Sequence, residues 1–237
     1  MILSDSTYDT KQFFYTTLKL SVIIQVITGI IEVISVYFAQ NTPAQYYIIN
    51  HLLYLELSVQ IIEGMFYICL VYNFNKVSNV TPKRYIDWTI TTPTMLITLM
   101  VYLIFLGYKE NNIDTTSMTL LGTIKENLPT ISKIITLNWL MLLFGFLGEV
   151  KILSTGLGVF IGFIPFLIYY YTIYYKFATQ SDTGLKIFWY FLFFWSIYGI
   201  VALLPYNLKN AIYNILDLFA KNFFGLFLSY IIILKKY

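Results

Sequence analysis

Seven stretches of predominantly apolar residues, near 13–38, 46–72, 85–108, 130–150, 155–178, 184–204 and 208–234, dominate the chain. About 20 such residues in a helix reach across the hydrocarbon core of a bilayer. An open strand cannot satisfy its backbone hydrogen bonds in lipid, so helices are the expected element throughout. The expected fold is all-α, a bundle of seven transmembrane helices occupying residues 1–237 as a single domain. Composition agrees: 58% of residues are hydrophobic and 11% charged, and mean hydropathy is +0.71, whereas about a quarter of a soluble domain is charged. The first window follows a polar start, MILSDSTYDTKQ, and has no small-residue cleavage site after it, so it is expected to be retained rather than removed as a signal peptide.

Several function classes are disfavoured at once. A net charge of +3 carried by scattered Lys and Arg offers no patch for nucleic acid. Cys69 is the single cysteine, inside an apolar window, which excludes an internal disulfide and a multi-cysteine metal site, and no metal is expected. Asn79-Val80-Thr81 forms a glycosylation sequon, a triplet that chance also produces. The longest polar connection, KENNIDTTSMTLLGTIKENLP, joins the third and fourth spans, and no catalytic motif lies outside the membrane. Basic residues divide evenly between the two sides, so charge alone does not orient the bundle.

Ionisable residues at membrane depth are costly and tend to mark ion pathways, relays or ligand counter-ions. In the last span Asn207, Asn210, Asn214, Asp217 and Lys221 follow a 3-4-3-4 spacing that keeps them on one stripe. For the asparagines, hydrogen bonding between helices explains the stripe as well as function does. A lysine four residues after an aspartate asks for more: a desolvated amine can condense with an aldehyde to form a Schiff base, which needs an anionic neighbour when protonated. In the first span Thr17, Ser21, Gln25, Thr28, Glu32 and Ser35 form a second polar stripe, and in the second span Glu56, Gln60 and Glu63 form a third. Such carboxylates and amides along one seam would attract and hydrate cations, or serve as neutral interhelical contacts.

RYIDWTITTPTMLITLM, residues 84–100, resembles the third-helix signature of microbial rhodopsins, R-Y-x-D-W-x-x-T-T-P, and DLFAKNFFG resembles their retinal-attachment helix. MLLFGFLGE, residues 141–149, is similar to the fourth helix of proteorhodopsins, and WSIY, residues 195–198, adds a sixth-helix match. The resemblance implies all-trans retinal bound covalently to Lys221 as a protonated Schiff base. It implies Asp87 as main counter-ion and proton acceptor, Asp217 as second counter-ion, and Arg84 keeping both ionised from the extracellular side. That placement puts the N-terminus outside and the C-terminus in the cytoplasm. Trp88, Met95, Met141, Gly145, Trp195, Tyr198 and Ala220 match positions of the retinal pocket, and apolar Met95 implies green absorption. Thr91 matches a threonine that hydrogen-bonds the acceptor.

Departures from the pumping pattern are specific. Thr98 stands where outward proton pumps carry a carboxylic donor, so reprotonation from the cytoplasm is expected to be slow or served by another carboxylate. Gly199 and Ala202 replace a proline and a tryptophan, and the single histidine, His51, lies far from the counter-ion. Channelrhodopsins conduct between helices one, two, three and seven, and they carry glutamates in helix two and often an Asn after the retinal lysine, as Asn222 does here. With these acids beside a rhodopsin core, the chain most resembles the first group of viral rhodopsins of large DNA viruses. The resemblance implies a light-gated cation channel with Glu32, Glu56, Gln60, Glu63, Asn207, Asn210 and Asn214 along its pathway. A weak outward proton pump is the alternative and a photosensor the third, although the tail LKKY offers no output domain. Expected partners are the lipid bilayer of a plasma or other host-cell membrane and monovalent cations, divalent cations or protons, with self-association left open. Enzymatic activity is not expected.

Overall fold

The computed structural model describes residues 2–76 and 79–236, with side chains described from Asp9 onward. The last tail residue, Tyr237, lies outside the described residues. Helix α1 spans Ile2–Ala39, and α2, Tyr47–Tyr72, follows a short 3-10 turn; α3 spans Thr81–Glu110. A short α4, Leu120–Glu126, sits inside the connection that the sequence shows as polar, and α5 spans Leu128–Glu149. Then come α6, Thr155–Lys176, and α7, Asp182–Val201. The last span is built from α8, Tyr206–Asp217, a π-helical turn, Leu218–Asn222, and α9, Phe223–Ile233. Among the described residues, seven segments are long and apolar enough to cross a membrane, and each falls within a few residues of its expected window.

Burial inverts the usual pattern of an amphipathic helix. On α1, Ile23, Ile27, Ile30 and Ile34 are exposed, while Thr17, Ser21, Gln25, Thr28, Glu32 and Ser35 are buried. That is the arrangement expected where the surroundings are hydrocarbon and polar groups can be satisfied only by other helices. Helix α3 runs through the centre: 83% of its apolar window is buried, against 28% for α1. Its C-terminal Glu110 also receives Ser181 Oγ (2.7 Å) and the Asp182 N–H (2.9 Å), which ties the end of α3 to the start of α7.

Helices α5 and α6 pack on glycine. A Cβ on Gly158 would lie 2.7 Å from the Phe144 carbonyl oxygen and 3.0 Å from Gly148 Cα, so the backbones meet with no room for a side chain. Small residues permit this approach in membranes, where close packing rather than hydrophobicity holds helices together. Gly158→Ala is therefore expected to destabilise the detergent-solubilised protein by about 1–3 kcal/mol, the usual cost of overpacking, as measured by denaturant unfolding.

Candidate functional site around Lys221

Lys221 sits in the π-helical turn of the last span, where the sequence stripe alone predicts uninterrupted α-helix. A π turn widens the helix by one residue and shifts the register of the residues after it; such turns are frequent at functional sites. Tyr190 Oη donates to the Phe219 carbonyl inside the turn (2.8 Å), satisfying one of its backbone acceptors. Lys221 Nζ donates to Asp87 Oδ2 at 2.8 Å and stands 3.8 Å from Asp217 Oδ1. A third carboxyl is also present: Glu63 Oε1 of α2 lies 3.1 Å from Nζ. The stripe on α2 therefore does not run wholly along a separate seam, because its last member joins the group around the lysine.

Asp217 is the best-satisfied of the three acids. Its Oδ2 accepts from Tyr67 Oη (2.5 Å) and Arg84 Nη1 (3.3 Å), and its Oδ1 accepts from Tyr198 Oη (2.7 Å). Arg84, 1% exposed, spreads its other donors over the last span, from Nε to Asn210 Oδ1 at 3.1 Å and from Nη2 to Asn214 Oδ1. Asn210 Nδ2 in turn donates to Thr81 Oγ1 (2.9 Å). Arg84 is thus one helical turn from Asp87 in sequence, yet it pairs with Asp217 across the bundle. Asp87 Oδ1 has no hydrogen-bond partner among the described residues. The expected threonine contact differs as well: Thr91 Oγ1 donates to the main-chain carbonyl of Asp87 (3.0 Å), not to its carboxylate. A buried helical threonine readily turns back on the carbonyl four residues earlier.

Beside the lysine lies a cavity with aromatic and apolar walls and a single amine. Trp88, Met95, Met141, Gly145, Trp195, Tyr198, Ala220 and Lys221, the pocket set expected from sequence, all line it. The bare Cα of Gly145 matters here, since a Cβ would meet Tyr85 Oη at 2.8 Å. Trp88 packs edge-on against Tyr85, Tyr198 and Tyr213, with centroids 5.0, 5.7 and 5.3 Å away, and is held as a flat wall. Thr92 is fixed by Asn138 Nδ2 of α5 at 2.7 Å.

The polar stripes meet along one seam between α1, α2 and the last span. Asn214 Nδ2 donates to Thr17 Oγ1 (3.0 Å), and Ser21 Oγ donates to the Asn214 carbonyl (3.1 Å). Next along the seam, Gln60 Nε2 bonds Gln25, while Asn222 Nδ2 reaches Gln25 Oε1 (3.2 Å) and Thr28 Oγ1 (3.0 Å). Beyond these, Glu32 and Glu56 form a neighbouring pair of buried acids. The Glu56 carboxyl also contacts Thr98, the position of the absent donor. Glu32 fills a notch against Gly225, where a Cβ would overlap its carboxyl. One expected pathway residue departs from this seam: Asn210 turns toward Arg84 and α3, whereas Asn207, at the start of the last span, bonds α1 through Thr10 Oγ1 (3.3 Å).

The sequence model of bacteriorhodopsin-like proteins matches residues 16–235. The chain belongs to the bacteriorhodopsin-like family. No curated protein matches it by sequence. Its fold is similar to the crystal structure of the viral rhodopsin OLPVRII, with a TM-score of 0.77 and 24% identity over 94% of this chain and 99% of that one. It is similar to a blue light-absorbing proteorhodopsin from Med12 at TM-score 0.71 and 20% identity, over 94% of this chain and 98% of that one. The proton-pumping rhodopsin AR2 from the marine alga Acetabularia acetabulum superposes at TM-score 0.69 and 18% identity, over 94% and 96%. At these identities the likeness establishes the rhodopsin fold.

In this bacteriorhodopsin-like chain the sequence motifs located the lysine, its two aspartates and half the cavity wall, but missed Tyr67 and the whole α6 wall. Gly158, Gly162, Phe163 and Phe166 of α6 line the cavity, and the one available signal was the glycines spaced four apart, which mark one helix face. Lys209 and Glu149 form a 2.6 Å pair between α8 and α5. Removing a charge from the central cluster should be severe. Arg84→Leu leaves Asp217 without its guanidinium partner and is expected to cost about 3–5 kcal/mol, read as a lowered unfolding midpoint of the solubilised protein.

Proposed function

We propose that the chain is a retinal-binding photoreceptor protein that conducts cations passively when illuminated, with its N-terminus outside the cell. The residues fit retinal: Lys221 is the one amine in a long apolar cavity walled by Trp88, Trp195 and Tyr198, and the unpartnered Asp87 Oδ1 faces the same group of charges. All-trans retinal, bound through Lys221, would supply a visible absorber that isomerises about one double bond. Lys221 holds a positive nitrogen, and Asp87, 2.8 Å away, is placed to take a proton from it. Asp217, with three donors already committed to it, is held in place as the second counter-charge. Trp88 and Trp195 restrict which way the bound group can turn, and Thr91 braces the Asp87 backbone.

The single observation that carries conduction is the buried polar seam from Thr17 to Ser35 of α1. It continues through Gln25, Gln60 and Asn222 to the acids Glu32 and Glu56. Side chains bonded across it close it in this conformation, and a rearrangement around Asn222, next to Lys221, would part the Gln25 and Thr28 contacts. Acidic and amide oxygens along such a seam replace the water shell of a cation.

One observation favours outward proton pumping as the second reading. Thr98 Oγ1 donates to the Thr94 carbonyl (3.0 Å), and the buried carboxyl of Glu56 on α2 stands beside it. A protonated carboxyl on α2 could then stand in for the absent donor on α3.

Voltage-clamped photocurrents in retinal-supplied cells separate the two readings. Passive conduction is expected: the current reverses sign at a potential that tracks the cation gradients, and Glu56→Gln changes its size or selectivity. A current that stays outward at every accessible voltage supports pumping instead. Lys221→Ala is expected to abolish both the visible absorption and the current; an absorption band surviving that change would place the attachment elsewhere.

A further inference from the structure

The cluster around Lys221 does not balance in charge. It contains two cations, Arg84 and Lys221, and three carboxyls, Glu63, Asp87 and Asp217. All five are at most 5% exposed, so an uncompensated charge there has no solvent to screen it. Neutrality requires one carboxyl to hold a proton. Asp217 is the poorest candidate, because three hydrogen bonds stabilise its anion. Asp87 accepts the charge-assisted bond from Nζ at 2.8 Å. Glu63 is 0% exposed, and neither of its oxygens accepts a properly directed hydrogen bond, although Oε1 lies 3.1 Å from Nζ.

Among the described residues, the groups facing Glu63 leave it no other counter-charge. The last span brings Lys221 and Asp217, and α3 brings Asp87. The phenols of Tyr67 on α2 and Tyr198 on α7 stand nearby, both already donating to Asp217. Helix α1 supplies the uncharged Gln25, held by Gln60 one turn away.

We propose that Glu63 is a third, proton-bearing carboxyl at Lys221 in the dark, a neutral acid whose ionisation adds a negative charge both to the lysine nitrogen and to the polar seam. Resting on the retinal assignment for its colour effect but not for its charge count, this gives Glu63 a role distinct from lining an ion pathway. On raising the pH, Glu63 gives its proton to solvent and leaves a carboxylate 3.1 Å from Nζ. That anion holds the positive charge on the nitrogen more tightly and shifts absorption to the blue.

The test is dark infrared and visible titration of wild type, Glu63→Gln and Asp87→Asn in the full chain. The expected result is a protonated-carboxyl component in wild type, beside any from Glu32 and Glu56, that is lost in Glu63→Gln and also in Asp87→Asn, where Asp217 and an ionised Glu63 are left to balance the two cations. Glu63→Gln, neutral like the acid it replaces, keeps the wild-type absorption maximum at neutral pH but loses the alkaline blue shift, and Asp87→Asn, in which Glu63 is already ionised, loses that shift too. A red shift of Glu63→Gln at neutral pH, or a carboxyl spectrum that Glu63→Gln leaves unchanged, overturns the proposal. If Glu63→Gln does not fold, Glu63→Asp must move the band, and an unmoved band overturns it equally. Because the free amine of Lys221 carries the same charge, the infrared band decides the protonation of Glu63 in retinal-free protein too. A chain that forms no visible chromophore therefore defeats the retinal assignment while leaving this result readable.

Discussion

Two buried cations set the terms for everything around them. A guanidinium and an ammonium inside a membrane bundle persist only if carboxylates and hydrogen-bond acceptors surround them. Arg84 draws Asn210, Asn214, Tyr67 and Asp217 from two other spans into one contact set, and Lys221 draws in Glu63 and Asp87. The geometry of α2, α3 and α8 near mid-membrane follows from satisfying those donors. Tyr67 and Tyr198 complete the shell by giving their hydroxyl protons to Asp217, so the phenols that the carboxylate needs also join α2 and α7 to the last span.

The cluster divides the bundle into two halves of opposite character. On one side α3, α5, α6 and α7 enclose an aromatic cavity whose shape depends on missing side chains: Gly145 admits Tyr85, and Gly199 admits Phe163. On the other side α1, α2 and the last span meet through amides, hydroxyls and acids. Lys221 and Asn222 are adjacent in sequence yet face different halves, one toward the cavity and the other toward Gln25 and Thr28. A change in the cavity is thereby one residue away from the bonds that hold the seam closed. The π turn that contains both residues is a natural place for such a change, since its widened geometry leaves backbone groups less tightly committed.

Thr98 on α3 cannot hold an ionisable proton, but α2 presents Glu56 to the same place, with Glu32 of α1 beside it. Thr91 makes the complementary point: the same residue type as in the family motif spends its proton on a backbone carbonyl, leaving one oxygen of Asp87 free. A motif match fixes where a side chain starts, and local competition for its donor decides what it does.

What could be known from the chain alone was whatever depends on spacing within one helix. Apolar runs long enough to cross a bilayer, the stripe that aligns Asp217 with Lys221, and the run from Arg84 to Asp87 are all intrahelical, with periods set by backbone geometry. Hence the seven spans, the lysine, its aspartates and the wall residues carried by motifs were legible, as was the polar stripe along α1. Only the tertiary structure decided which stripe faces which: that Arg84 reaches Asp217, that Glu63 joins Lys221 while Glu56 meets Thr98, and that Asn210 leaves the seam. Those outcomes depend on the rotation of each helix about its axis and on an extra residue in the π turn. Both are set by side-chain packing between segments distant in sequence, and no pattern within a single segment encodes them.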